Sequence, residues 1–126
     1  MNRQIVALLL PLILLVACSF GYHARGSLSD VPREMRGKGF PTIAEGGGRF
    51  ALVDAAGALQ CDGKLLPPDQ ALAPGNCVGE SGKGMVQCSD GREIAVRWKA
   101  ITCRSFEGSG EDARGNRLFF RVDRSR

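Results

Sequence analysis

The sequence MVQCSDGREIAVRW, residues 85–98, carries the clearest structural signal in the chain. Asp90-Gly91 is typical of a two-residue turn, because glycine adopts a positive φ without steric cost and closes a tight hairpin. After the turn, every second residue from Ile94 to Trp98 is apolar, which is the period of a strand with one buried face. The segment therefore predicts a β-hairpin that packs one face against a core.

Two further segments show strand character. Residues 49–61, RFALVDAAGALQC, predict two short strands around a turn, and residues 117–123, RLFFRVD, predict a last strand. The residues predicted to face inward are Phe50, Leu52, Leu59 and Cys61 in the first segment and Leu118, Phe120 and Val122 in the last. Strands are thus expected on both sides of the 85–98 hairpin.

The alternation of apolar and polar residues shifts by one position after the hairpin, from even-numbered to odd-numbered apolar residues. Ile101 and Cys103 fall out of phase with the strand before them, so we expect a bulge or bend near Lys99-Ala100 that returns both to the core. Residues 107–116, EGSGEDARGN, are glycine-rich and acidic and predict a loop. No long helix is predicted in this region. The expected fold is all-β, a small disulfide-stapled sandwich or barrel of about five to seven short strands, preceded by a signal helix and a flexible tether.

Four cysteines lie in the predicted β domain: Cys61, Cys77, Cys88 and Cys103. An even number in a small exported domain predicts two disulfides, because such a domain buries too little apolar surface to be stable without covalent links. A zinc site usually has closely spaced cysteine or histidine pairs, whereas these cysteines are 16, 11 and 15 positions apart. Three pairings are possible, and we favour sequential pairing, Cys61 with Cys77 and Cys88 with Cys103.

The N-terminus has the layout of a signal peptide. Arg3 provides a positive charge, residues 5–17 have no charged or polar side chain, and small residues lead into Cys18. The apolar run is too short for a bilayer core, which needs about 20 apolar residues in a helix, and Pro11 interrupts it. We therefore expect this segment to direct export and to be removed.

The four residues Leu15-Val16-Ala17-Cys18 resemble the bacterial lipobox. The resemblance implies cleavage before Cys18 and diacylation of its thiol, so the membrane would hold the chain through diacylglycerol and an added acyl chain such as palmitate. Ser19 follows rather than aspartate, which in enteric-type bacteria implies transfer to the outer membrane. The implied location is the cell envelope, with a lipid anchor that faces the periplasm if the host is Gram-negative.

These observations divide the chain into three parts. Residues 1–17 are the predicted signal peptide, and residues 18–48 are the predicted lipidated N-terminus and flexible tether, rich in Gly, Ser, Pro and charge. Residues 49–126 form the predicted small β domain.

No constellation of residues in the chain predicts catalysis. The only histidine, His23, lies in the predicted tether, where nothing would fix it against a substrate. We accordingly expect no enzyme activity, no catalytic residue, no cofactor and no metal. The formal net charge of +4 is too modest to favour a nucleic-acid partner for an exported protein.

Two functions remain open for the domain. The first is a non-catalytic envelope module that binds a partner or has a structural role. The alternative is an inhibitor of a wall-degrading enzyme such as lysozyme, by similarity in general architecture to small cysteine-stapled β lipoproteins of that class. An inhibitor needs an exposed loop that enters a catalytic cleft, and residues 105–116 are the candidate segment.

A basic face is the one candidate binding site. Strand period places Arg117, Phe119 and Arg121 opposite the inward residues of the last strand, and Arg97 and Lys99 outward on theirs. If the two strands pair, these cations surround an exposed aromatic ring. Arginine binds phosphate or carboxylate in two-point contact, so this face could bind an anionic envelope polymer or protein. Glu93, Glu107 and Asp123 are close enough in sequence to neutralise it.

Overall fold

We describe the protein from a computed structural model. The structure describes residues 22–41, 47–70 and 76–124, so the predicted signal peptide and Cys18 lie outside the described residues. Eight antiparallel strands pair in chain order and β8 pairs with β1, which closes the sheet into a barrel. The strands are β1 (Tyr22–Leu28), β2 (Met35–Pro41), β3 (Gly48–Val53), β4 (Gln60–Leu65), β5 (Ser81–Cys88), β6 (Glu93–Thr102), β7 (Ser105–Glu111) and β8 (Arg117–Asp123).

The two ends of the barrel differ. The turn end contains the β1–β2, β3–β4, β5–β6 and β7–β8 connections. The terminal end contains Tyr22, the β2–β3, β4–β5 and β6–β7 connections, and Arg124 after β8. No helix among the described residues has the length and apolar character needed to cross a bilayer.

The all-β prediction is confirmed and its central hairpin is present, but the turn is longer than the two residues predicted. The Cys88 N–H donates a hydrogen bond to the Arg92 carbonyl at 3.0 Å, so Ser89, Asp90 and Gly91 form a three-residue loop. β5 and β6 pair in register, and the Gly91 N–H donates a hydrogen bond to the Cys88 carbonyl at 2.9 Å. Gly91 has a φ of 93°, the conformation that the turn requires. The inward residues predicted on β3 and β8, Leu59 and Cys61 at the start of β4, and Ile94, Val96 and Trp98 on β6 are all buried.

The predicted tether over residues 18–48 is wrong for its described part, because β1 and β2 lie within it and begin the barrel. The predicted loop over residues 107–116 is also shorter, since β7 extends to Glu111. The reason is the same in both places. The inward positions of these strands include several glycines, which give no hydrophobic alternation in the sequence: Gly26, Gly37, Gly39, Gly108 and Gly110. The barrel therefore has eight strands rather than five to seven.

Inward glycines lie directly opposite the largest core residues. One row across consecutive strands runs Gly82, Trp98, Gly108, Phe120 and Gly26. A Cβ atom on Gly108 would lie 2.3 Å from the Phe120 ring, so no larger residue fits there without displacing that ring. An eight-stranded barrel has an interior just wide enough to be filled by side chains, and alternation of small and large residues fills it.

The aromatic rings meet at the centre of this interior. Phe50 stacks on Phe120 with ring centroids 4.4 Å apart, and Phe106 meets Phe120 edge-on at 6.2 Å. Phe50 repeats the glycine pattern, because it lies between Gly39 and Gly63 in register. The core of the protein is therefore the barrel interior itself.

The predicted irregularity near Lys99-Ala100 is present as a register shift between Ala100 and Thr102 on β6. To turn Ile101 inward, the shift would have to precede that residue. Ala100 is instead still buried in the regular alternation of β6, so the shift comes too late to do so. Cys103 packs against the core, but Ile101 remains half-buried at the barrel surface rather than in the core.

The two predicted disulfides are present, but the sequential pairing is wrong. Cys61 bonds to Cys88 and Cys77 bonds to Cys103. Cys61 and Cys88 face each other on adjacent strands at the turn end, with Cα atoms 4.0 Å apart. Cys77 precedes β5 at the terminal end, where the turn after β6 brings Cys103 to a Cα distance of 4.9 Å. The length of β4 separates Cys61 from Cys77, so sequence neighbours cannot pair.

The glycine pattern makes a direct prediction about stability. Replacing Gly108 with alanine should lower the free energy of unfolding by about 1–3 kcal/mol, because the added methyl group overpacks the Phe120 ring. Chemical denaturation of the oxidised protein measures the change. Ser109→Ala, one residue along on the outward face, is the control and should change stability by less than about 0.5 kcal/mol. Equal effects of the two variants would contradict this account of the core.

The disulfide pairing can be read by tryptic digestion without reduction. Cleavage after Arg49, Lys64, Lys83 and Arg92 separates the first three cysteines, and cleavage around 100–104 isolates the fourth. We expect mass spectrometry to find peptide 50–64 linked to 84–92 and peptide 65–83 linked to 100–104. A link between 50–64 and 65–83 would contradict the observed topology.

Candidate functional site

The residues predicted to form the basic face lie on two strands that are not neighbours. Arg97 and Lys99 are on β6, the other three are on β8, and β7 lies between the two strands. All five point outward, and Phe119 is 53% exposed. The pairing of β6 with β8, on which the basic face was conditional, is therefore absent, although the barrel still presents both strands on one side.

β7 forms the floor between them. Ser109 is flanked directly by Arg97 on β6 and by Phe119 on β8, and its short side chain leaves a depression between these longer neighbours. The depression has a volume of about 560 Å³. We call it the β7 groove. Its charged and aromatic lining comprises Arg25, Glu34, Arg97, Trp98, Lys99, Glu107, Phe119, Phe120 and Arg121, and its hydroxyl-bearing lining comprises Ser27, Ser81 and Ser109.

The structure adds residues to the groove and removes one. Arg25 and Ser27, on β1, lie in the segment that the sequence predicted as tether. Their signal was the alternation of Ala24, Gly26 and Leu28 with polar residues, which has strand period but only one large apolar side chain. Arg117 does not line the groove. It lies over the Phe119 ring at 5.7 Å and pairs with Glu111 at 3.7 Å.

Acidic neighbours neutralise part of the basic face, as the sequence suggested. Arg121 contacts Asp123 at 2.8 Å and Glu107 at 3.8 Å, and Arg97 pairs with Asp69. Within the part of the chain that the structure describes, Arg25 and Lys99 make no ion pair. The available positive charge of the β7 groove is therefore concentrated at these two side chains.

Three arginines stand side by side next to the groove. Arg25 on β1 is directly opposite Arg36 on β2 and directly opposite Arg121 on β8. Like charges directly opposite on antiparallel strands destabilise a sheet. Glu34 pairs with Arg36 at 3.5 Å, and Glu107 and Asp123 pair with Arg121, which leaves Arg25 as the member of this row without an ion pair among the described residues.

A second charged cluster joins three connections at the turn end. The Arg92 guanidinium lies 2.9 Å from Asp30, 2.8 Å from Asp90 and 3.1 Å from Asp112, which come from the β1–β2, β5–β6 and β7–β8 connections. We call this group the Arg92 cluster. Its carboxylates are directed at a guanidinium, and the described residues include no group of three or more His, Cys, Asp or Glu side chains that could hold a metal ion. The cluster is a structural cross-link.

The same contacts shift the acidity of the cluster. Hydrogen bonds from Arg92 lower the pKa of Asp30 and Asp90, and hydrogen bonds from Asn116 lower the pKa of Asp112, with a smaller contribution from the charge of Arg92. The carboxylates in turn raise the pKa of Arg92. All four groups are therefore held in their charged forms.

The segment considered for an inhibitory loop is mostly strand. Residues 105–111 form β7, and only residues 112–116 connect it to β8. Asp112 accepts hydrogen bonds from the backbone N–H groups of Arg114 and Asn116, at 2.8 and 2.9 Å, and also contacts Arg92. This short turn is fixed against the barrel end and does not project from it.

The barrel interior is filled by side chains such as Trp98 and Phe106, which are 1% and 0% exposed, so a ligand would bind on the outer surface.

His23 is not in a tether but on β1, exposed on the outer surface opposite Lys38 and Asp123. The β7 groove brings together four of the five predicted site residues, Arg97, Lys99, Phe119 and Arg121, and is therefore the candidate site.

No protein-family model matches the chain, and neither curated proteins nor solved structures give a significant match. The candidate function consequently depends on the groove and the sequence patterns alone.

The Arg92 cluster predicts a specific response to acid. A carboxylate whose pKa is lowered by folding stabilises the folded state above its ordinary value near 3.8, and this stabilisation is lost as the pH falls through the lowered pKa. Arg92→Gln should therefore lower the melting temperature at pH 7 by several degrees, and the difference from the parent should narrow steadily below about pH 4.

The control is Arg114→Gln, which removes an exposed cation from the same end of the barrel that makes no side-chain ion pair among the described residues. Its melting temperature should follow that of the parent at every pH. A difference between parent and Arg92→Gln that stays constant down to pH 2 would contradict the assigned role of the carboxylates.

Proposed function

We propose that this protein is a bacterial cell-envelope lipoprotein, anchored through an acylated Cys18, whose β-barrel is a non-catalytic domain that binds an anionic envelope polymer in the β7 groove. The observation that carries the binding role is the row Arg36, Arg25 and Arg121, with Arg25 unpaired among the described residues and facing the groove. The signal pattern and the lipobox support the anchor. The two disulfides support an oxidising compartment such as the periplasm.

The groove suits a ligand with phosphate or carboxylate groups. A guanidinium offers paired donors to either group, and the Lys99 ammonium adds a point charge on the opposite side of β7. Ser27 and Ser109 can donate hydrogen bonds to the same oxygens or to sugar hydroxyls. The exposed ring of Phe119 supplies an apolar contact. A phosphorylated glycolipid or a carboxylated wall polymer presents these features together.

In a Gram-negative host we place the protein at the outer membrane, facing the periplasm, on the basis of Ser19 after the lipobox cysteine. In this role the barrel is a rigid platform. The groove floor belongs to the sheet, so binding requires no ordering of a loop, which limits the entropic cost of association.

Binding should depend on the two unpaired cations. The mature protein, acylated at Cys18, is held in detergent and titrated with purified lipopolysaccharide as the phosphorylated glycolipid and, separately, with soluble peptidoglycan fragments as the carboxylated polymer. Changing Arg25 and Lys99 together to serine should weaken binding of the preferred polymer at least tenfold at low salt. Raising the ionic strength to about 0.15 M should weaken binding by the parent, since exposed charges are then screened beyond about 8 Å.

The control changes Arg33 and Lys38 to serine, two exposed cations outside the groove that make no ion pair among the described residues. This variant has the same net charge as the groove variant and should bind within threefold of the parent. If both variants lost affinity equally, binding would depend on net charge and not on the groove, which would contradict the proposed site. No binding of either polymer by the parent would exclude the proposed ligand class.

A further inference from the structure

Exposed apolar side chains gather at the terminal end of the barrel. Phe40 is 55% exposed near the end of β2, Leu66 is 50% exposed directly after β4, and Val78 is 58% exposed before β5. These three come from different strands and connections but from the same end. Exposed apolar groups collected on one side of a protein mark a surface that meets another apolar phase or partner.

Cations lie beside these side chains on the outer surface. Arg49 on β3 is directly opposite both Phe40 on β2 and Lys64 on β4. Neither Arg49 nor Lys64 makes an ion pair among the described residues, and Leu66 follows Lys64 by two positions. Unpaired cations next to exposed apolar groups are complementary to a surface that has anionic phosphates above hydrocarbon.

The turn end has the opposite character. Its connections contain five carboxylates, Asp30, Glu34, Asp54, Asp90 and Asp112. Three of them converge on Arg92, and the other cations of these connections are Arg33 and Arg114, so carboxylates outnumber cations at this end. The two ends of the barrel thus differ in both charge and apolar exposure.

The chain geometry brings the terminal end to the membrane. Three residues separate Cys18 from Tyr22, the first residue of β1. Four Cα-to-Cα steps span at most about 14 Å when fully extended. An acyl anchor on Cys18 therefore keeps Tyr22, at the terminal end, within about that distance of the lipid headgroups, whereas it sets no such limit on the turn end, which lies a strand length away along the barrel.

We propose that the terminal end of the barrel is a membrane-contacting rim, in which Phe40 and Leu66 enter the headgroup region and Arg49 and Lys64 bind lipid phosphates. The inference rests on the proposed anchoring at Cys18. It goes further by fixing which end of the barrel faces the bilayer and which side chains contact it. The acyl chains hold the protein at the membrane, and the rim restricts how the barrel is oriented there.

Tryptophan quenching by brominated lipid tests this orientation. The acylated mature protein, which begins at Cys18, is reconstituted into vesicles of phosphatidylethanolamine and phosphatidylglycerol, three to one, with bromine on the acyl chains near the headgroups. Phe40→Trp places a reporter on the rim, and Val53→Trp places a matched reporter at the turn end, where Val53 is 37% exposed. Trp98 is buried in the barrel and gives a common background, which the parent protein measures.

We expect the Phe40→Trp reporter to lose at least half of its added fluorescence and the Val53→Trp reporter to lose less than a tenth. Adding Arg49→Gln and Lys64→Gln to Phe40→Trp should at least halve the quenching. Vesicles of phosphatidylcholine alone, brominated at the same position but without net negative charge, should reduce the quenching of Phe40→Trp by a similar factor. Equal quenching of the two reporters, or stronger quenching at Val53, would overturn the proposed rim.

The anchor is tested separately on the same preparations. Radioactive palmitate should label the parent and should not label Cys18→Ala. An unlabelled parent would overturn the anchor and with it the rim. A labelled parent whose Phe40→Trp reporter is not quenched would overturn the rim alone and leave the anchor in place.

Discussion

The fit of large side chains against glycines controls the structure of this protein. Trp98 and Phe120 lie in an interior only eight strands around, and the residues directly opposite them on the neighbouring strands are Gly82, Gly108 and Gly26. Without a Cβ atom, Gly82 and Gly108 leave space for the Trp98 and Phe120 rings, and Gly26 leaves space for the Leu52 side chain. The indole N–H of Trp98 also finds a partner, the Leu66 carbonyl at 3.0 Å, so burial leaves its polar group satisfied.

Closure of the barrel follows from this packing and creates the outer surface. Because β1 must pair with β8 to complete the interior, Arg25 comes between Arg36 and Arg121. The same closure places the small outward residue of β7, Ser109, between Arg97 and Phe119. The β7 groove is thus the outer side of the strand whose inner side consists largely of glycine. Because the packed interior determines the fold, the outward positions can hold charged side chains, such as Arg25 and Lys99, that do not contribute to the core.

Covalent and ionic links reinforce each end of the barrel separately. At the turn end, the Cys61–Cys88 disulfide joins β4 to β5, and the Arg92 cluster joins three connections. At the terminal end, the Cys77–Cys103 disulfide ties the segment before β5 to the turn after β6. A domain of this size has a limited core; the two disulfides stabilise it chiefly by restricting the unfolded state, and the Arg92 cluster stabilises the folded state directly. A rigid sheet is also what a binding groove without loops requires.

The sequence by itself determined the β class, the central hairpin, the inward faces of β3, β4, β6 and β8, and the presence of two disulfides. Each of these has a local cause, namely a turn dipeptide, an apolar alternation or an even number of cysteines. Only the tertiary structure decided the strands β1, β2 and β7, because their inward positions include several glycines. Glycine gives no apolar signal in the sequence, and its role depends on the large side chain that it accommodates from elsewhere in the barrel. It also decided the cysteine pairing and the membership of the groove, because these depend on which strands are neighbours. The register of a closed sheet places residues far apart in the chain side by side, as for Arg25 and Arg121, and no local sequence pattern predicts such a pairing.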